Sequence, residues 1–118
     1  MKEPKVFVDS YQLTVTLFHR TKSIPRAIRP TLGRQLEETS LKMTQAVRRA
    51  LLFPVRDKSG ASLRAKLLRE ASDHLDDMRV LLNLSRDLQV LPSSGFEELS
   101  KLGREVGREL GGLIKQAS

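Results

Sequence analysis

Four stretches of this chain repeat apolar residues every three to four positions, and breaker residues interrupt the repeat between them. The period matches the 3.6-residue turn of an α-helix and not the two-residue alternation of a strand, so it narrows the fold more than any other feature. In the first stretch Val8, Tyr11, Val15 and Phe18 share a face, with Leu13 and Leu17 widening it, and predict a helix over about 7–22. Asp9 or Ser10 is expected to support its first turn. In the second, Leu32, Leu36, Met43, Val47, Ala50 and Leu51 predict a helix over about 31–53, with Thr31 as N-cap after Pro30 and a stop before Pro54. Glu37 and Glu38 near its start and Arg48 and Arg49 near its end complement the helix dipole.

Residues 54–62, PVRDKSGAS, gather Pro, Gly, Asp and Ser and read as a loop. Beyond them Leu63, Leu67, Ala71, Leu75, Met78, Leu82 and Leu88 predict a long helix over about 62–91. Leu68, Leu81, Leu84 and Leu91 broaden its apolar face. After Pro92, Phe96, Leu99, Leu102, Val106, Leu110 and Leu113 predict a fourth helix over about 95–115, with residues 116–118 fraying. Beside that stripe Gly103, Gly107 and Gly111 recur every four residues. An interior helical glycine costs ~0.5–1 kcal/mol relative to alanine, so the spacing predicts a close approach by another helix, of the same chain or of a second copy.

Four helices joined by short connections predict an all-α domain over residues 1–118, an antiparallel up-down-up-down four-helix bundle. A core with 4% aromatics and no Trp must be mostly aliphatic, which suits helix-on-helix packing. The absence of Cys excludes disulfides and thiolate chemistry. No apolar run reaches the ~18 residues of a membrane span, and none at the start makes a signal peptide, so the expectation is a soluble, cytoplasmic protein without a membrane partner.

The net charge of +7 is not spread evenly. Residues 1–60 carry twelve Lys and Arg against five Asp and Glu, whereas residues 61–118 carry nine of each. Such asymmetry points to a polyanionic partner. The excess falls in two groups. Arg20, Lys22, Arg26, Arg29 and Arg34 lie around Pro25 and Pro30, between the first two helices. Arg48, Arg49, Arg56 and Lys58 lie around the next connection, continued by Arg64, Lys66 and Arg69 in the third helix, and an up-down bundle puts the groups at opposite ends. Arginine suits phosphate oxygens, and few aromatics are free to stack on bases, so contact with the backbone of folded RNA or of a duplex is the better match. Part of the first group has an alternative use, pairing with Asp87, Glu97 and Glu98 at the same end. For chemistry, only His74 in DHLDD, residues 73–77, sits among acids, and it reads as a solvated face. The chain is therefore expected to have no catalytic residues, metal or cofactor and to be no enzyme.

The run Phe18-His19-Arg20-Thr21-Lys22 followed by Pro25-Arg26, the Thr31-Leu32-Gly33 start of the second helix, and the closing Gly103, Gly107, Gly111 and Gly112 carry a family likeness. Over roughly residues 7–115 the chain resembles the Avd proteins, the accessory variability determinants of diversity-generating retroelements. It is also similar to the four-helix proteins encoded by intervening sequences in bacterial large-subunit ribosomal RNA genes. The Avd resemblance implies a barrel-like homopentamer that binds a reverse transcriptase and template RNA, and supports error-prone cDNA synthesis. It implies that Arg20, Lys22, Arg26 and Arg29 form part of the basic binding region. The second resemblance implies a protein interaction module without a nucleic-acid role.

Overall fold

The computed structural model describes residues 3–117, and every regular element among them is helical. The helices are α1 (Lys5–Arg20), α2 (Arg34–Ala50), α3 (Lys58–Asp87) and α4 (Ser93–Ala117), with a short 3₁₀ turn at Thr21–Ser23 and a wide π turn at Arg29–Gly33. The four helices pack against one another: α2 lies against α1 and α3, and α4 lies against α3 and α1. The body measures 49 × 23 × 22 Å. One contiguous apolar core draws on all four helices, from Val6 and Leu13 through Met43, Leu75 and Leu110.

The stripes foreseen for α2, α3 and α4 supply most of that core. Leu36, Met43, Val47, Ala50, Leu68, Ala71, Leu75, Met78, Leu99, Val106 and Leu110 are all buried. The face foreseen for α1 is wrong. Val8 is 44% exposed and Tyr11 56%, while Val6, Ser10, Leu13, Thr14 and Leu17 face inward. The reason is that short hydroxyl side chains can be buried once they are hydrogen-bonded. Ser10 Oγ donates to the Val6 carbonyl at 2.7 Å, and Thr14 Oγ1 lies 3.0 Å from Ser10 O and 3.1 Å from Ser40 O. Thr44 reaches Ser10 O at 3.1 Å and Thr14 Oγ1 at 2.9 Å, so a seam of hydroxyls joins α1 to α2.

Three helix starts also differ from expectation. Helix α1 begins at Lys5, where the Pro4 carbonyl accepts from the amides of Phe7 and Val8 at 3.0 and 3.1 Å. Asp9 and Ser10 therefore lie beyond its first turn. Thr31 does not cap α2; its hydroxyl donates to Ile28 O at 3.0 Å inside the π turn, which leads straight into the helix. Pro30 sits early in that turn, where a missing N–H costs nothing. Helix α3 starts four residues before Ser62, because Asp57 is its N-cap and accepts from the Gly60 amide at 2.6 Å. A Cβ at Gly60 would stand 2.6 Å from the Pro54 carbonyl, so the loop can close only over glycine.

Helix α3 ends in a Schellman cap. The amides of Gln89 and Val90 donate to the carbonyls of Arg86 and Ser85 at 2.9 and 3.0 Å, with Gln89 at φ 57°. Helix α4 continues through Gln116 and Ala117, which were expected to fray; Ser118 lies outside the described residues. Among the described residues no helix is long and apolar enough to cross a membrane.

Candidate nucleic-acid interface

The nine cations at the two connections, Arg20 to Arg34 and Arg48 to Lys58, separate into two kinds. Three are held by the fold. Arg29 folds back over its own connection and donates to the carbonyls of Ile24 and Lys22, each at 2.9 Å from Nη2. Its stem covers Gly33, where a Cβ would meet Arg29 Cγ at 3.2 Å. Those carbonyls belong to the 3₁₀ turn after α1 and to the residue that follows it, so Arg29 acts as the clasp of the α1–α2 connection. Arg20 crosses to α4, pairs with Glu98 at 2.8 Å and lies over Gly95. The alternative pairing with Glu98 is thus the one Arg20 makes. Arg34 pairs with Glu38 one turn along α2 at 3.0 Å.

The other six are Lys22, Arg26, Arg48, Arg49, Arg56 and Lys58. All are exposed, and none of their side chains has a hydrogen-bond or ion-pair partner among the described residues. Lys22 and Arg26 flank the Pro25 turn, beside a cleft that Ser23 and Pro25 share with Gln89 and Pro92. Arg48 and Arg49 end α2, and Arg56 and Lys58 flank the Asp57 cap. Arg64, at the start of α3, donates to Phe53 O at 3.0 Å and holds that loop against the helix. Exposed cations on short, clamped connections can meet phosphate oxygens without first breaking an internal pair. Tyr11 qualifies the expectation of few exposed aromatics: its ring, 6.2 Å from that of Phe7, stands on the outer face of α1.

The glycines of α4 are approached by a side chain. Arg79 of α3 donates from Nη2 to Gly103 O at 3.0 Å and from Nη1 to Asp76 at 3.1 Å. A Cβ at Gly107 would fall 2.4 Å from Arg79 Nη2, whereas one at Gly103 would make only ordinary contact with Leu75. A Cβ at Gly111 or Gly112 would meet nothing within 4 Å among the described residues beyond its own stretch of helix.

The sequence reading missed a cluster of carboxylates. Asp9 of α1 meets Glu105 and Glu109 of α4, with ligand-type oxygens all within 4.8 Å of one another. The Lys5 ammonium bonds all three acids, and Arg108 also holds Glu105. These contacts push the Lys5 pKa up, with the Asp9 hydrogen bond foremost. Burial, reinforced by the neighbouring Asp9, raises Glu109, while the hydrogen bond from Glu109 and then Lys5 lower Asp9. Glu109 Oε1 is buried with no acceptor-type bond, and a proton on Glu109 shared with Asp9 would satisfy it. The sign of such a cluster was legible only as i, i+4 spacing of Glu105 and Glu109 with Asp9 far away in sequence. With an ammonium at its centre, it ties α1 to α4. In DHLDD, Asp76 takes part in the Arg79 contact, while Asp73 and Asp77 face solvent.

No protein-family model and no curated protein matches the chain.

Proposed function

We propose that this chain is a non-enzymatic accessory protein of the Avd type. It binds RNA and a reverse transcriptase through basic surfaces, and supports mutagenic cDNA synthesis. The observation that carries the reading is the set of six exposed, unpaired cations, all within the first 58 residues of a chain whose second half is charge-neutral. The proposal includes an antiparallel up-down-up-down course of the helices. Supporting it, Lys5 bonds Glu109 while Arg20 bonds Glu98, and Ser10 meets Thr44 while Thr14 meets Ser40. It also includes a homo-oligomer, a pentamer by the family likeness, in which weak basic patches gain from repetition.

Six phosphate contacts give an expected log–log salt slope near −5 on duplex and about −4 on single strands. Filter binding of template-type RNA against salt measures it, and binding that ignores salt would overturn the nucleic-acid half. Replacing Arg48, Arg49, Arg56 and Lys58 together by Ala should weaken binding at least tenfold while the helical circular dichroism stays unchanged. Lys22→Ala with Arg26→Ala should give a smaller loss.

An apolar groove between the α1–α2 connection and the end of α3, lined by Ile28, Leu32, Leu81, Leu84 and Leu88, favours a second reading, the protein interaction module of the intervening-sequence type. Co-purification with a partner after nuclease treatment, combined with no RNA affinity, would select it.

A further inference from the structure

A groove of about 280 Å³ between α3 and α4 gathers four polar side chains. Its walls are Arg79, Leu82 and Asn83 from one helix and Phe96, Ser100 and Arg104 from the other. Asn83 and Arg104 are exposed and Ser100 half-buried, and none of the three side chains has a hydrogen-bond partner among the described residues. Arg79 is different, because its guanidinium is fixed by Asp76 and the Gly103 carbonyl, which leaves further N–H groups to give. Four of the six lining side chains thus offer N–H or O–H donors, and none offers a carboxylate. Leu82 and Phe96 supply an apolar side, with Arg86 4.9 Å above the Phe96 ring and itself paired to Asp87. Arg79 and Arg104 are the charged side chains of its lining.

Several N–H and O–H donors with no carboxylate among them, two guanidiniums and an apolar wall suit an anion with a compact carbon skeleton attached. A planar fork such as guanidinium matches phosphate oxygens bidentately, and a dianion gains most from two of them. The volume lies at the small end of ligand clefts, ~300–1,000 Å³, and so admits one phosphorylated unit. We propose that this groove binds a phosphate monoester carrying a single flat or apolar group, of the nucleoside monophosphate class. Arg79 is the preset donor, and Arg104, Ser100 and Asn83 close on the phosphate. The monoester is either a free nucleotide or the terminal phosphate of a strand. The site is independent of the basic connections, and a chain that binds no RNA there keeps it.

Titration of the full chain with AMP, followed by amide and Asn83 side-chain NMR shifts, tests the proposal. AMP should move Asn83, Ser100 and Arg104, and adenosine should not. Lowering the pH below the second phosphate pKa, ~6, should weaken AMP. Ser100→Ala with Arg104→Ala should weaken AMP at least tenfold with the helical spectrum intact, and Arg104→Lys should restore part of the loss. A short oligonucleotide with a 5′ phosphate that competes with AMP, while its unphosphorylated form does not, assigns the strand end. Failure of both to compete assigns the free nucleotide. Equal shifts by adenosine and AMP, shifts confined to other residues, or full affinity in the double variant would each overturn the site.

Discussion

Gln89 is the one non-glycine residue with positive φ among the described residues, at 57°, and it closes the α3 cap. A side chain in that region clashes with its own carbonyl, a cost of roughly 1–2 kcal/mol that glycine escapes. Glycine also loses more freedom on folding, so the net gain from Gln89→Gly should be about 0.5–1 kcal/mol, or a few degrees in Tm. A thermal melt that shows no gain would mean that the glutamine side chain compensates. The same close view explains why the basic residues could not be sorted from sequence. Arg26 and Arg29 stand three apart in one connection and look alike in composition. Only the carbonyls of Lys22 and Ile24, brought round by the Pro25 turn, decide that Arg29 is held and Arg26 is free.

Helices α2, α3 and α4 were largely legible because their buried faces are mostly aliphatic and follow the 3.6-residue period, although Ser40 and Ser85 are buried too and Leu63, Leu84 and Leu88 of the face foreseen for α3 stay exposed. Helix α1 was not, because its buried face includes Ser10 and Thr14, which any hydropathy pattern assigns to solvent. Their burial depends on carbonyls one turn back and on Ser40 and Thr44 of the neighbouring helix. Small side chains there let the two backbones come close, as the hydroxyl-to-carbonyl distances across the seam show. Thr14→Val keeps the shape, removes the hydroxyl and strands its partners, and should cost about 1–2 kcal/mol in urea unfolding. Val8→Thr, on the exposed side, should cost within ~0.5 kcal/mol. If the two substitutions cost the same, the seam contributes nothing particular. The start of α3 was misjudged for a related reason: Lys58 and Ser59 have no apolar signal, and only the Asp57 cap sets the boundary.

The first and last helices of the fold, α1 and α4, are tied at the Lys5 end by charge as well as by packing. The tie responds to pH through Glu109 and Asp9 in opposite senses. Glu109 binds its proton more tightly folded than unfolded, so its contribution is full below the usual carboxyl range and falls as pH rises through the raised value. Asp9 is lowered, so its contribution is present at neutral pH and is lost as pH falls through the depressed value. Glu109→Gln mimics the protonated form. Urea midpoints taken from pH 4 to 8 should decline less steeply with rising pH in that variant than in the parent. Identical profiles would show that Glu109 binds its proton equally well folded and unfolded, and would overturn its part in the tie.

The place where Arg79 crosses Gly107 makes one hydrogen atom on α4 the gatekeeper for a guanidinium on α3. Gly107→Ala adds a methyl where Nη2 now lies, and the flexible arginine, not the backbone, has to yield. Helix propensity favours alanine by ~1 kcal/mol, so the protein should melt no lower. Yet Arg79 would swing away, leave the Gly103 carbonyl uncovered and remove the preset donor of the neighbouring groove. Stability and readiness to bind would then part company at a single position, and a survey of melting temperatures alone would pass over the residue that matters most to the groove.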